Sequence, residues 1–322
     1  MAAECVIGVD LGGTKLLAGA VDDGLQVHHR AHRKSRAENA SEVLDIVADA
    51  VAEIRDAYDG EITAVGFGIP SLIDRERGVA ASTVHLPLQE VPFRDLMSER
   101  LGLPVALDND GNTAMLAEHR FGAARGVDNA VLLALGTGVA SAIVIEGTLV
   151  RGATGAAGEI GHMVIDEQGL PCSGTCPNRG CLETLASGTA IAREGLSAAK
   201  KYPGSELGRA LAGGREISGA LVVELAHDGD EAAREVVVLI GSHLGVGIAN
   251  VINIFNPEVV VIGGGVIGAG DLLLDAAREV AMQRALSPSK DVAKIVPTRF
   301  GAEAGMLGAA VLALDLSARP VG

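Results

Sequence analysis

The sequence predicts an α/β fold of two related domains, and three observations carry that prediction. Apolar, β-rich runs alternate with segments of helical periodicity along most of the 322 residues, a pattern that builds strands and helices into one mixed architecture. A strand-turn-strand unit at 6–23 returns at 130–147. Length and a 48% share of hydrophobic side chains suffice for two ordinary cores.

VIGVDLGGTKLLAGAVDD (6–23) reads as two strands joined by a tight Gly-Gly-Thr turn whose backbone must come close to something. A helix follows: Ser41 is placed to cap it, Val43, Val47, Val51, Ile54 and Tyr58 recur at helical spacing, and Gly60 can end it. AVGFGIP (64–70) and LPVALDND (103–110) read as buried strands, the second ending at Asp110 as the helix NTAMLAEHRFG begins. Laying 130–147 over 7–24 sets Gly136-Thr137 under Gly13-Thr14 and Gly147 under Gly24. The copies differ in charge, since the first carries Asp10 and Lys15 where the second has Leu133 and Gly138. Only the first suits a metal–phosphate complex, with Asp10 toward the cation and Lys15 or the turn amides of Gly12, Gly13 and Thr14 toward phosphate oxygens. One such turn alone is as well explained as a plain hairpin. Two in register favour paired domains, each offering a Gly-Thr turn to a cleft. The expected boundaries are 1–110 for a smaller domain and 111–300 for a larger one, with a closing helix at 301–318.

A formal charge of −15 argues against a nucleic-acid surface, and no cluster of Lys and Arg is evident. The start, MAAECVIGVDLGG, has no basic leader, so no targeting segment is expected. The most apolar stretch, AVLLALGTGVASAIVI (130–145), is too short to span a bilayer. The expectation is a cytoplasmic protein with neither membrane nor nucleic acid as partner. Three of the four cysteines, Cys172, Cys176 and Cys181, gather with His162 in GHMVIDEQGLPCSGTCPNRGC (161–181). In a reducing compartment this odd group points to metal or catalysis rather than disulfides. Cys5, in an apolar run, is expected in the core.

VDLGGTKLLAGAVD near the start, LDNDGNTAMLAE (107–118), LALGTGVASAIV (133–144), GEIGH (158–162), CPNRGCLE (176–183) and NVINIFNPEVVVIGGGV (250–266) together are specific. Through them the chain resembles, over nearly its whole length, the ROK group of sugar kinases and repressors within the hexokinase–actin–chaperone ATPase superfamily. The resemblance implies a two-domain hexokinase/actin-like ATPase fold with a duplicated βαβ core and an interdomain cleft, in a homodimer or homotetramer. It implies ATP-dependent phosphorylation of a hexose, foremost glucose to glucose 6-phosphate, with Mg2+. ATP phosphates would lie between the two hairpins, the second contributing Thr137 and Gly138, and the nucleoside near Gly263, Gly264 and Gly265. The 301–318 helix would return to the first domain.

A hydroxyl attacking a γ-phosphoryl group needs a carboxylate to take its proton. Asp110 stands at a strand end where a helix starts, a usual ligand-binding edge; on position alone a helix cap explains it equally well. By resemblance to the family's Asn-Asp pair, Asn109 and Asp110 bind sugar and Asp110 is the base. Glu159, His162 and Glu183 match positions that contact sugar hydroxyls in the family, where carboxylates serve as paired acceptors. His162, Cys172, Cys176 and Cys181 form a Cys3His set, the composition of a closed structural Zn2+ site, and His162 would present its other nitrogen to the sugar. Both glycine turns are remote from this loop in sequence, so metal loss is expected to weaken sugar binding more than nucleotide binding.

Three departures from the family pattern stand out, the last two of which bear on substrate. The family's Cys-x-Cys is lengthened to Cys172-Ser173-Gly174-Thr175-Cys176, and the extra residues are expected to bulge outward. Val139-Ala140-Ser141 replaces a glycine run, which would tighten phosphate approach or shift donor preference. His85 stands where relatives commonly have Asn, which leaves sugar identity open among glucose, N-acetylmannosamine, fructose and mannose. A sugar-sensing regulator is the other reading; its DNA-binding domain would find no room before a hairpin that begins by residue 6.

Overall fold

The computed structural model describes residues 4–83 and 86–318; His85 lies outside the described residues. They divide into two compact units. The first comprises the described residues up to Gly126, Leu149–Ala157 and those from Ala302; the second comprises Val127–Thr148 and Gly158–Gly301.

In chain order the first unit runs β1 (Cys5–Leu11), β2 (Lys15–Val21), β3 (Val27–Lys34), α1 (Ala40–Ala57), β4 (Ile62–Ile69), β5 (Ser71–Asp74), β6 (Val79–Thr83), β7 (Gln89–Val91), α2 (Phe93–Leu101), β8 (Val105–Asn109) and α3 (Asp110–Phe121). Its main sheet has the order β3-β2-β1-β4-β8, while β5, β6 and β7 form a small sheet of their own. The helix over 40–57 starts two residues earlier than a cap at Ser41 predicts. Asn39 caps it by accepting from the Glu42 amide at 3.0 Å, and Glu42 returns bonds to the Glu38 amide and the Asn39 side chain, a reciprocal arrangement that satisfies end groups from both directions. The helix ends at Tyr58 rather than at Gly60.

The second unit carries β9 (Ala130–Leu135), β10 (Val139–Ile145), β11 (Thr148–Leu149), α4 (Leu182–Leu185), α5 (Gly188–Lys201), α6 (Glu206–Ala212), α7 (Gly219–His227), α8 (Glu231–Phe255), β12 (Val259–Gly263), α9 (Asp271–Arg284), α10 (Ser289–Val292) and β13 (Lys294–Pro297). Its sheet order, β11-β10-β9-β12-β13, reproduces that of the first unit strand for strand. The duplication is therefore structural, but an ungapped overlay does not hold. Gly12, Gly13, Thr14 and Lys15 separate the last pair Leu11↔Leu16, whereas only Gly136, Thr137 and Gly138 separate Leu135↔Val139. The second turn is one residue tighter, so one arm or the other falls out of register. Among the described helices α8 is long and apolar enough to cross a membrane, yet its packing on α5, α7 and α9 is that of a core helix. The basic residues also cluster where net charge hides them. Edge strand β3 exposes His28, Arg30, His32, Arg33 and Lys34, a guard against edge-to-edge pairing.

The last element, α11 (Ala304–Ser317), packs on β1, β4, β8 and α3 of the first unit. Glycines let it approach. A Cβ on Gly8 would lie 2.1 Å from the Met306 carbonyl oxygen, one on Gly66 would lie 1.8 Å from that of Ala309, and one on Gly308 would lie 1.6 Å from that of Thr113. Because Gly8 and Gly66 are opposed on neighbouring strands, the helix crosses the sheet at one bare spot. α3, held against α11 in this way, belongs to the first unit, so the division differs from a boundary at residue 110. Gly66→Ala should lower unfolding free energy by about 1–3 kcal/mol, the cost of overpacking a close contact. Gly204→Ala, where a Cβ meets nothing within 4 Å, should stay within about 0.5 kcal/mol of the parent. Urea denaturation of both variants checks the pair; equal stability would mean that α11 does not depend on this approach.

Candidate active site

The junction of β8 and α3 concentrates polar groups. The Asn109 side chain caps α3, accepting from the amides of Gly111 at 2.9 Å and Asn112 at 3.3 Å, and Asp110 is the first helical residue. Capping thus accounts for Asn109 and leaves Asp110 with a different reason to be there. Asp110 Oδ1 also accepts from the Gly111 amide at 2.8 Å. Beneath the turn, Asp108 is buried, and its Oδ2 accepts from Arg151 Nε at 2.8 Å and lies 2.7 Å from Arg151 Nη2. Asp108 Oδ1 takes the Asn109 amide and the Asn112 side-chain amide, both at 2.9 Å. Sequence reasoning missed Arg151, which lies far away in the chain and has no motif to mark it. A buried carboxylate so fully bonded is a scaffold for the turn it underlies.

In the β1–β2 hairpin the Gly12 amide donates to the Lys15 carbonyl at 2.9 Å. The buried Ser35 clamps the turn from β3, donating its hydroxyl to the Gly12 carbonyl at 2.6 Å and its amide to the Thr14 carbonyl at 3.2 Å. Gly13 is partly exposed, and Thr14 and Lys15 are exposed. Asp10 precedes this turn against the first turn of α11, where a Cβ on Gly305 would fall 2.7 Å from its carboxyl carbon. Burial, and then the charge of Asp110, push the Asp10 carboxyl up to about 7, with Lys15 opposing them. A carboxylate held in that state suits a cation and the phosphate charge it brings.

In the second unit, the Gly136 amide donates to the Gly138 carbonyl at 2.9 Å and the Gly136 carbonyl accepts from the Gly188 amide at 2.8 Å. Thr189 donates its hydroxyl to the Thr137 carbonyl at 2.8 Å. The N-terminus of α5 is thereby fixed to a turn with exposed Gly136 and Thr137, the setting in which a helix start and bare amides receive phosphate. Thr189 went unread because it lies outside every glycine motif. Gly264, at φ 81°, packs on the end of β9, since a Cβ there would lie 2.3 Å from the Leu135 carbonyl oxygen; Gly265 follows in open space.

The other candidates of this unit lie around the start of β10. Glu159 precedes and His162 ends a 3-10 turn at Ile160–His162, with His162 Nε2 3.9 Å from Glu159 Oε2. Glu183, in the first turn of α4, accepts with both oxygens, Oε1 from the Ser173 hydroxyl at 3.0 Å and Oε2 from the Val139 amide at 3.1 Å. The glycine hairpin and the cysteine loop are therefore adjoining, contrary to their separation in sequence. The residues between Cys172 and Cys176, Ser173, Gly174 and Thr175, are all exposed, but the Ser173 hydroxyl turns back to Glu183.

The ligand atoms of His162, Cys172, Cys176 and Cys181 lie within 4.8 Å of one another. Cys172 Sγ is 3.4 Å from His162 Nδ1, and Cys176 Sγ is 3.9 Å from Cys181 Sγ. A tetrahedral ion with Zn–S about 2.3 Å and Zn–N about 2.0–2.1 Å sets S···S near about 3.8 Å and S···N near about 3.5 Å, so the donors fit. Burial pushes the Cys172 thiol up to about 12, while the Asn178 amide lowers Cys176. Thiols so crowded ionise together only around a cation. Cys5 stays apart, buried in the first unit with its thiol 3.1 Å from the Tyr58 hydroxyl.

Residues 6–316 match the model of the ROK family. A glucokinase of Thermotoga maritima is 37% identical over 308 residues, covering 95% of this chain and 96% of the relative. A xylose repressor of Caldicellulosiruptor bescii is 32% identical over 276 residues, 85% of this chain and 67% of the repressor. Among solved structures, a ROK family glucokinase from Streptomyces griseus in complex with glucose and AMPPNP superposes with a TM-score of 0.86 at 32% identity, covering 97% of this chain and 99% of that one. With the strand order repeated in both units and a match that runs almost end to end, the chain belongs to the ROK family.

Proposed function

We propose that this protein is a sugar kinase that transfers the γ-phosphoryl group of ATP to glucose, releasing glucose 6-phosphate and ADP. The observation that carries the reading is the β8–α3 junction, where Asn109 makes the cap and Asp110 stands beside it on a scaffold built by Asp108. Asp110 takes the proton of the attacking sugar hydroxyl as its oxygen bonds the γ-phosphorus, and the bond from that phosphorus to the bridging oxygen breaks. Asn109, Glu159, His162 and Glu183 orient the sugar hydroxyls. Lys15 and the amides of Gly12, Gly13, Thr14, Thr137 and Gly138 receive phosphate oxygens, and the turn at Gly264 and Gly265, with Gly265 in open space, receives the nucleoside. Mg2+, when bound, supplies charge neutralisation on the phosphates, and Asp10 is the carboxylate that faces it. His162, Cys172, Cys176 and Cys181 hold a structural zinc ion. By the same family resemblance the enzyme is a cytoplasmic homodimer or homotetramer.

The named relatives support this reading, since one is a glucokinase and another binds glucose with an ATP analogue. The repressor relative keeps a second outcome open to test: a sugar-sensing regulator would bind glucose and form no product. With glucose and ATP, product identified by NMR should be glucose 6-phosphate. Asp110→Asn should keep most sugar affinity while kcat falls about 10²–10⁴-fold; a variant that turns over normally would remove Asp110 from proton transfer.

Elemental analysis should find close to one zinc per chain, and Cys181→Ser should lose it together with part of its thermal stability, because metal-binding energy is partly folding energy. Since Glu183 joins the cysteine loop to Val139, nucleotide as well as sugar affinity should weaken in that variant. A metal-free parent of unchanged stability and affinity would reduce the cluster to plain thiols.

Asp10→Asn separates stability from function. A carboxyl whose folded value, about 7, exceeds its ordinary 3.8 costs stability progressively as pH rises between those values, and the full cost is present above about 7. The amide should therefore unfold at higher denaturant concentration at pH 8, by on the order of 1–3 kcal/mol, with the gain vanishing below about pH 4, while activity is lost. Denaturation at both pH values checks it, and destabilisation at pH 8 would contradict the assigned strain.

A further inference from the structure

The substitution Val139-Ala140-Ser141 at the second hairpin looks from sequence like a change on the phosphate side, but the side chain of Ser141 is occupied elsewhere. Ser141 is the third residue of β10, paired with Leu133 and only 7% exposed. Its hydroxyl donates to the Gly158 carbonyl and accepts from the Ile160 amide at 3.2 Å. A hydroxyl has one proton, so with that proton committed to Gly158 it has nothing to donate to a phosphate oxygen. Gly158 and Ile160 are the two neighbours of Glu159.

That bracket holds the backbone on both sides of Glu159. The Glu159 side chain is 57% exposed and its Oε2 lies 3.9 Å from His162 Nε2, while the backbone beneath it is closely packed. Gly158 has φ 94°, and a Cβ there would stand 3.2 Å from the Ser141 carbonyl oxygen; a Cβ on Gly161 would stand 2.5 Å from that of Val139. Residues 158–161 thus lie directly on the first residues of β10. The Ile160 amide also reaches the Gly158 carbonyl, at 2.8 Å, which closes a tight turn around Glu159 that the hydroxyl locks to the strand.

We propose that Ser141 is a positioning residue for Glu159, so that this hydroxyl governs recognition of the sugar and not of the phosphoryl donor. The inference rests on the reading of Glu159 as a sugar ligand. Steady-state kinetics on Ser141→Ala, Glu159→Gln and the double variant test it. Ser141→Ala should raise KM for glucose roughly five- to tenfold, the worth of about one hydrogen bond, with KM for ATP within about twofold of the parent. In the Glu159→Gln background the same substitution should add less than about twofold, because the aim it controls is already lost. Ser141→Gly, which also lacks the hydroxyl, is read in the same way and stands in for Ser141→Ala should the latter not fold. Equal rises in KM for glucose and ATP, or a full effect of the Ser141 change in the Glu159→Gln background, would overturn the proposal by making Ser141 merely structural. If Glu159→Gln alone leaves KM for glucose unchanged, the assignment of Glu159 falls first and the role of Ser141 falls with it.

Discussion

The first unit depends on one close contact, the crossing of α11 over Gly8 and Gly66. Those two glycines are opposed on β1 and β4, and the helix backbone sits where their side chains would be. The same helix brings Gly308 onto the Thr113 backbone and Gly305 onto the Asp10 carboxylate. One element near the chain's end thereby fixes three things at once: the strand that carries Asp10, the helix that begins at Asp110, and the distance between their charges. Any side chain at these crossings would clash with the helix backbone, and the Asp10 carboxylate would lose the burial that raises it.

The second unit reaches a comparable result by different means. Its fixed point is the start of β10, where the Val139 amide holds Glu183, Val139's carbonyl leaves room only for Gly161, and Ser141 holds both neighbours of Glu159. Glu183 then extends the connection to Ser173 and the cysteine loop. A strand start is a rigid place to hang such contacts, because its direction is set by the sheet and not by the loops it supports. His162, Cys172, Cys176 and Cys181 gather at the end of this arrangement, in a loop that has little regular structure of its own.

The elements legible in the sequence are those with a local physical signature. Both hairpins were marked by apolar runs around glycine turns, β8 and α3 by a strand meeting a helix start, and the metal donors by chemistry that ordinary cores do not gather. The illegible parts depend on partners distant in the chain. Nothing near Asp108 announces Arg151, and nothing near Ser141 announces Gly158, because a hydrogen bond across a fold leaves no periodicity behind. The offset overlay of the hairpins failed for a related reason: a one-residue difference in turn length is invisible while glycines and threonines still align. The start of α1 was misplaced because Asn39 and Ser41 are both competent caps, and only the return bonds from Glu42 decide between them.

The electrostatics of the first unit carry a further consequence. Asp10 and Asp110 each raise the cost of the other's charge, and burial adds to it at Asp10. Among the described residues the Asp108 carboxylate is fully bonded while the Asp10 carboxylate makes no hydrogen bond or ion pair. One acid is thus built into the scaffold and the other is kept in an uncompensated state, with the Lys15 charge opposing the strain. A site that folds around an unbalanced carboxylate is more stable once a cation arrives, so cation binding and local stability are thermodynamically linked. The strain at Asp10 is then the counterpart of the bonding at Asp108: the buried network holds the turn still, and the buried charge beside it waits for a ligand to balance it.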